Sequence, residues 1–423
     1  MKHKGYYLLI FFIGIKVHSQ ISNSTDKRPF FVVPEILIGK TGEANTGFPE
    51  TKLQKSFFVS FGRRSRMIDQ QWAILLGYPK TGVSLGVTDF GNTEKLGMAY
   101  TVMPFIEVGI FRKYSSRWNL NIGMGSSYID KQFHPDTNPF NQAVTTKINW
   151  AFRSFVYYDI FRKEALNWRL GVGYTHYSNG HTRLPNQGLN SFLVSLSSSI
   201  GKEDKISDKD RIIQKEKRIR SSETYFSGRI GIGQNVLSRI YNDKKEVYSI
   251  ALSAGKIINR TFKFGAGFYY RFYEQYYDHI NENGPLISEQ VPNFRDNPYR
   301  YATNLGFFAS TEFLMGHVGV EIDLGINIYK PFYKIDWQLS QGYFFKGEYT
   351  RLGELDSYYQ IKRTISSKLE IKYYLFNTNK SPKNNIYIGA SINANLGQAD
   401  FSDLSLGYVY RFNFKERKHT RSN

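Results

Sequence analysis

"HVGVEIDLGINIYK", His317–Lys330, alternates apolar and polar residues along its whole length. Val318, Val320, Ile322, Leu324, Ile326 and Ile328 fall on one face, and Gly319, Glu321, Asp323, Gly325 and Asn327 on the other. A period of two over so many residues predicts a strand rather than a helix. The same pattern recurs in "WNLNIGMG" from Trp118, "FKFGAGFYYRF" from Phe262 and "IYIGASINAN" from Ile386. These lengths approach the roughly 9–11 residues with which a tilted strand crosses a bilayer. Strands of soluble sandwiches are shorter, about 5–6 residues. The reading is therefore an all-β chain folded as a transmembrane antiparallel β-barrel.

Composition agrees. Aromatics make up 16% of the chain, glycine contributes 36 residues, and mean hydropathy is −0.43. A barrel hides its apolar half at alternate positions, so its mean hydropathy stays low. "LSLGYVYRFNF", Leu404–Phe414, ends an apolar stripe on aromatics, as a strand does at a membrane interface. No segment after the N-terminus has eighteen consecutive apolar residues, so helical spans are not expected.

The N-terminus, "MKHKGYYLLIFFIGIKVHSQ", places two lysines before an apolar run, with Val17 and Ser19 at the small-residue positions of a cleavage site. Residues 1–19 thus read as a secretory signal. Removing Lys2, Lys4 and Lys16 with it takes the formal charge from +20 to +17. The chain has no cysteine, which excludes disulfide and thiolate chemistry. Export makes a nucleic-acid partner unexpected. No CxxC, HExxH, GxGxxG or P-loop spacing occurs, so no metal, nucleotide or other cofactor site is expected.

Counting alternating segments gives about 14–16 strands, an even-numbered barrel. The run "GKEDKISDKDRIIQKEKRIRSS" mixes both charge signs and has few aromatics. It divides the chain into a half at 20–201, a charged linker at 202–222, a second half at 223–414 and a basic tail at 415–423. One large barrel is favoured, because the first half lacks a terminal strand as aromatic as the last. Two eight-stranded barrels are the alternative.

Chemistry concentrates at one strand end. In "NWRLGVGYTHYSN", Trp168, Leu170, Val172, Tyr174, His176 and Ser178 share the apolar face. Across the following hairpin, Asn190, Phe192 and Val194 share that face too. His176, Ser178 and Asn190 are therefore expected outside the barrel wall, where only lipid surrounds them. Polar groups there cost little at the interface, so the three residues are compatible with a simple head-group rim. They also compose a nucleophile, its base and an orienting group, for which the only accessible substrate is a lipid ester in the same leaflet.

"HYSNGHTRLPNQGLN", His176–Asn190, resembles the active-site signature of the lipid A 3-O-deacylases (PagL type), outer-membrane barrel hydrolases. "MPFIEVGIF", Met103–Phe111, is similar to an upstream strand of that family, and the likeness spans roughly Lys55 to Gly201. "EFLMGHVGV" and "QADFSDLSLGYVYRF" in the second half resemble longer members, often called acyloxyacyl hydrolases. The resemblance implies an outer-membrane location and an esterase acting on the lipid A of lipopolysaccharide. It implies Ser178 as nucleophile and His176 as base, with Asn179, Gly180 and Asn186 as candidate oxyanion donors. Arg183 is a weaker candidate for a substrate phosphate.

One departure stands out. The family's third member is acidic, and this chain has Asn190. A carboxylate stabilises an imidazolium; a carboxamide orients the ring without neutralising it. The competing expectation is a barrel without catalysis, either a pore whose lumen carries Glu321, Asp323, Asn393 and Asn395, or a structural lipopolysaccharide-binding protein.

Overall fold

The computed structural model describes residues 30–64, 70–163, 166–201, 219–345 and 348–417. The signal segment, most of the charged linker and the end of the basic tail lie outside these residues.

Two closed antiparallel barrels, each of eight strands, make up the described chain. The first comprises β1 (Phe30–Thr41), β2 (Gln54–Arg64), β3 (Lys80–Asp89), β4 (Met98–Gly109), β5 (Trp118–Ile129), β6 (Ile148–Lys163), β7 (Leu166–Ser178) and β8 (Leu189–Ile200). It closes by pairing β1 with β8, Val32 opposite Ile200 and Ile36 opposite Leu196. The second comprises β9 (Arg220–Asn235), β10 (Lys245–Ile258), β11 (Phe262–Tyr273), β12 (Thr303–Met315) and β13 (Val318–Tyr329), then β16 (Ile365–Tyr374), β17 (Asn384–Asn395) and β18 (Gln398–Arg417). Between β13 and β16 sits a small hairpin, β14 (Tyr343–Phe345) and β15 (Glu348–Arg351), outside the wall. Closure here is β9 on β18, with Ile230 opposite Leu406 and Arg220 opposite Arg417.

The transmembrane barrel and the strand total follow the sequence, but the single large barrel does not. Closure depends on backbone register between first and last strands, and the first half achieves it without an aromatic terminal strand. Strand β9 also starts inside the expected linker, at Arg220, and β18 runs beyond 414 to Arg417. The alternation extends that far, with Ser221 and Glu223 buried inside the wall.

Alternation sorts side chains across each wall. On β7, Leu170 and Val172 are exposed outward, whereas Arg169, Thr175 and Tyr177 are buried inward. On β5, Trp118 packs on Tyr158 at one end and Tyr128 faces Tyr100 at the other. Ten residues separate Trp118 from Tyr128; at about 3.3 Å each and a tilt near 40°, they span roughly 25 Å, the height of a membrane barrel's apolar band. No helix among the described residues is long and apolar enough to cross a membrane; the strands do so.

An eight-stranded barrel is just wide enough for its own side chains to fill, and both interiors are filled. In the first, Glu35 accepts from Arg153 Nη2 at 2.8 Å, from Tyr157 at 2.5 Å and from Ser195 at 2.5 Å. Glu107 pairs with Arg169 at 2.8 Å and Lys80 at 3.5 Å. In the second, Glu312 pairs with Lys263 at 2.7 Å and Lys372 at 3.1 Å. Arg229 reaches Glu370 at 2.9 Å. Glu321 and Asp323 do point inward, but Lys368 engages both, at 2.9 and 3.1 Å. Asn393 and Asn395 accept from Arg271 and Lys330. Such paired charges plug a lumen rather than line one.

The barrels touch at both ends. At the end carrying the β7–β8 loop, Leu184 and Asn242 exchange two hydrogen bonds, 2.9 and 2.7 Å. His181 Nε2 donates to Val236 O at 3.1 Å, and Ser402 Oγ donates to Gly180 O at 3.1 Å. At the other end, the short helix Gln71–Leu75 meets the β16–β17 loop, Gln71 N donating to Asn379 Oδ1 at 2.9 Å. Most long connections, including 130–147, 274–302 and 330–364, lie at the first end, the extracellular side of such barrels.

Candidate active site

Strands β7 and β8 set the site. Their antiparallel register places His176 opposite Asn190, and the two-residue period carries Ser178 to the same outer face. His176 Nδ1 lies 2.7 Å from Asn190 Oδ1, and its Nε2 lies 2.9 Å from Ser178 Oγ. The three residues share the outer face, as expected, and the register brings them into one chain of hydrogen bonds. Ser178 is only 9% exposed, because the loops and the second barrel cover this end of the wall.

The geometry fixes the tautomer. An amide oxygen accepts, so Nδ1 carries the proton and Nε2 offers its lone pair to the Ser178 hydroxyl. Tyr174, two residues before His176 on the same face, donates to Asn190 Oδ1 at 2.5 Å. Asn190 Nδ2 turns away toward Gly188 O at 3.5 Å. Tyr174 was not singled out from sequence, although its parity with His176 was visible there. No described carboxylate lies within ion-pair distance of His176. Asp159 is buried inside the barrel and bonds Arg162 and Asn119. Glu203 and Asp204 lie outside the described residues.

Two glycines make room for this arrangement. Gly188 has φ +78°, and a Cβ there would sit 2.7 Å from His176 Cε1. Gly180 has φ +64°, and a Cβ there would fall 2.2 Å from Ser402 Oγ. Side chains at these positions would both strain the backbone and push the imidazole or the second barrel away.

The candidate oxyanion donors separate. Asn179 is committed to the loop: its N–H donates to Asn186 Oδ1 at 2.9 Å, its Nδ2 to Arg183 O at 2.7 Å, and its Oδ1 accepts from Thr182 N at 3.2 Å. The N–H of Gly180 and the Nδ2 of Asn186 have no acceptor among the described residues, and Asn186 lines the adjoining cavity. Arg183 is exposed and does not line it.

That cavity encloses about 570 Å³. His176, Ser178, His181, Pro185 and Asn186 form one wall, and Arg239, Ser340, Tyr358, Lys362 and Leu396 of the second barrel form the other. Burial holds the His181 imidazole below its ordinary value, opposed by the Asp400 carboxylate, and its Nε2 bonds Val236 O. Among the described residues, no cluster of three or more His, Cys, Asp or Glu side chains is placed to hold a metal ion.

Residues 56–199, within the first barrel, match the family model of Lipid A 3-O-deacylase (PagL). No curated protein sequence matches the chain. Among solved structures, the outer membrane enzyme PagL is similar at 14% identity, over 39% of this chain and 97% of that one, with a TM-score of 0.29. The NanC porin is 7% identical over 90% of this chain and 100% of its own, TM-score 0.15. Pseudomonas aeruginosa OccK5 (OpdH) is 7% identical over 91% of this chain and 97% of its own, TM-score 0.18. At such scores the weight rests on the family match. The chain is an outer-membrane β-barrel protein whose first barrel matches the lipid A 3-O-deacylase (PagL) family.

Proposed function

We propose that this protein is an esterase that removes a 3-O-linked acyl chain from lipid A, with Ser178 as nucleophile and His176 as base. The observation that carries this reading is the relay Asn190–His176–Ser178, at 2.7 and 2.9 Å, on the outer face of the wall at the long-loop end. The hydroxyl opens onto the cavity between the barrels, which is where the ester of an outer-leaflet glycolipid would enter. The exposed Phe192, Val194 and Val172 beside it are apolar surface for an acyl chain.

Ser178 Oγ adds to the ester carbonyl carbon while His176 Nε2 takes the Oγ proton. The carbonyl oxygen becomes an oxyanion, for which Gly180 N–H and Asn186 Nδ2 are the uncommitted donors. Collapse breaks the bond to the sugar oxygen, which leaves with the proton from His176 Nε2. Water, deprotonated by the same imidazole, then releases the fatty acid from Ser178.

Asn190 sets the rate. In a serine triad, the Asp-to-Asn change costs about 10⁴ in turnover, largely through the wrong tautomer. Here the amide oxygen faces Nδ1, so the tautomer is right and only the stabilisation of the imidazolium by a full negative charge is missing. The expected enzyme is slow but competent. The rival is a structural lipopolysaccharide-binding barrel, since the filled interiors disfavour a pore.

Mass spectrometry of lipid A from cells producing the protein is the test. Wild type should remove the mass of one 3-linked hydroxyacyl chain, and Ser178→Ala should leave lipid A intact. Intact lipid A with the wild-type protein folded in the membrane rejects the enzyme in favour of the structural barrel.

A further inference from the structure

The cavity beside Ser178 is cationic, and both of its Lys and Arg side chains come from the second barrel. Arg239 follows β9, and Lys362 lies on the helix Ser357–Thr364 before β16. No Asp or Glu lines the cavity. Lys362 is 4% exposed. Its ammonium donates to Leu396 O at 3.1 Å and sits 5.0 Å from the centre of the Tyr358 ring. No described carboxylate pairs with it, nor with Arg239, whose Nη2 donates to Gln142 Oε1 of the first barrel. A buried ammonium with one neutral acceptor is poorly compensated for lost water. The other buried lysines described in this half are matched: Lys263, Lys368 and Lys372 have carboxylates within 3.1 Å, and Lys330 has Asp400 at 3.5 Å. Lys362 is the contrast, and the space before it is open, polar and large enough for a small anionic group.

We propose that the second barrel supplies the anion-binding half of the site, Arg239 and Lys362 receiving a phosphate-type group of the acylated glycolipid whose ester faces Ser178. The assignment of the substrate as a glycolipid rests on the function proposed above; the anion preference rests on the cavity alone. A guanidinium grips two phosphate oxygens at once, and an ammonium adds a point charge. The hydrogen bonds across the seam, from Leu184–Asn242 to Arg239–Gln142, hold the cationic wall against the catalytic one. The first barrel alone therefore has the nucleophile but not the complete pocket.

The test uses the full-length Ser178→Ala protein in neutral detergent, which binds without turnover. Three probes are titrated: bisphosphorylated lipid A, the same lipid enzymatically dephosphorylated, and inorganic phosphate. The phosphorylated lipid should bind at least tenfold more tightly than the dephosphorylated one. Adding Arg239→Gln and Lys362→Met should abolish that preference, while Arg239→Lys with Lys362→Arg should retain most of it. Heat-modifiable gel migration verifies that each variant is folded. Equal affinity for the two lipids, or a preference that survives the neutral double variant, overturns the proposal. Tight binding of inorganic phosphate without preference between the lipids overturns the lipid as the anion's source. Because no turnover is needed, intact lipid A in the cellular assay together with a lost preference here are separable failures: the first removes the esterase, the second the anion site.

Discussion

The Tyr174 hydroxyl and the His176 ring share one acceptor, Asn190 Oδ1, at 2.5 and 2.7 Å. The amide is thereby held with its oxygen toward the imidazole. A freely rotating amide would present Nδ2 to the ring half of the time and spoil the tautomer. In the proposed reaction Tyr174 would be a positioning residue, acting through Asn190.

Replacing Tyr174 with Phe removes one hydrogen bond worth about 1 kcal/mol. Turnover should fall roughly five- to tenfold, with KM nearly unchanged because the phenol oxygen does not contact the ester. Initial rates of fatty-acid release in detergent decide it; a rise in KM at constant kcat would place Tyr174 at the substrate instead.

Asn190→Asp keeps the size and restores a charge beside the imidazolium. Turnover should rise by on the order of tenfold or more. The imidazolium should also become easier to form, so the acidic limb of the pH–rate profile moves to higher pH. The measurement is kcat/KM from pH 5 to 9 for both proteins. If Asn190→Asp is slower while still folded, Asn190 does not orient the base.

Much of this was readable from the chain because membrane strands obey a strict parity. Val318–Ile328 and the stretch from Phe262 form strands where the alternation says so, and parity alone put His176, Ser178 and Asn190 on the outer wall. The hairpin register made them neighbours. Two features had no local signature. Closure of the first barrel is set by which backbone groups of β1 meet β8, and side-chain pattern does not encode that partner. Lys362 and Arg239 reach the site only because two barrels dock, bringing together residues far apart in sequence. The helices within 274–302 and 330–364 were missed too, since short amphipathic turns packed on a barrel rim lack the length for a clear period.

Both lumens should be electrically silent. The Glu35–Arg153 and Glu312–Lys263 clusters fill the two cylinders. Purified protein in planar bilayers should give no steady conductance above the lipid background. Reproducible open steps at neutral pH would show that these ion pairs leave a continuous water path.

Acidity should tune the rim over the cavity. Asp336, in the helix Tyr333–Ser340, has its pKa raised to about 7, first by burial and then by the Asp400 carboxylate, with Lys330 and a Tyr276 hydrogen bond opposing. A folded value above the unfolded one favours the protonated form in the fold. Its contribution is full below the ordinary carboxyl range and is lost as the pH climbs to about 7. Amide-exchange protection of Ile335–Leu339, corrected for intrinsic rates, should be higher at pH 5 than at pH 8. Asp336→Asn should remove the difference. Ser340, at the end of this helix, lines the cavity, so the loosening would be felt beside Ser178.

Eight is an even number, and each cylinder returns the polypeptide to the side from which it set out. Phe30 and Ile200 lie at the same rim of one, and Arg220 and Arg417 at the same rim of the other. Ile200 and Arg220, the strand ends that flank the join, therefore lie on the same side of the bilayer. Each cylinder closes on its own eight strands, so one can follow the other along the chain without either being inverted.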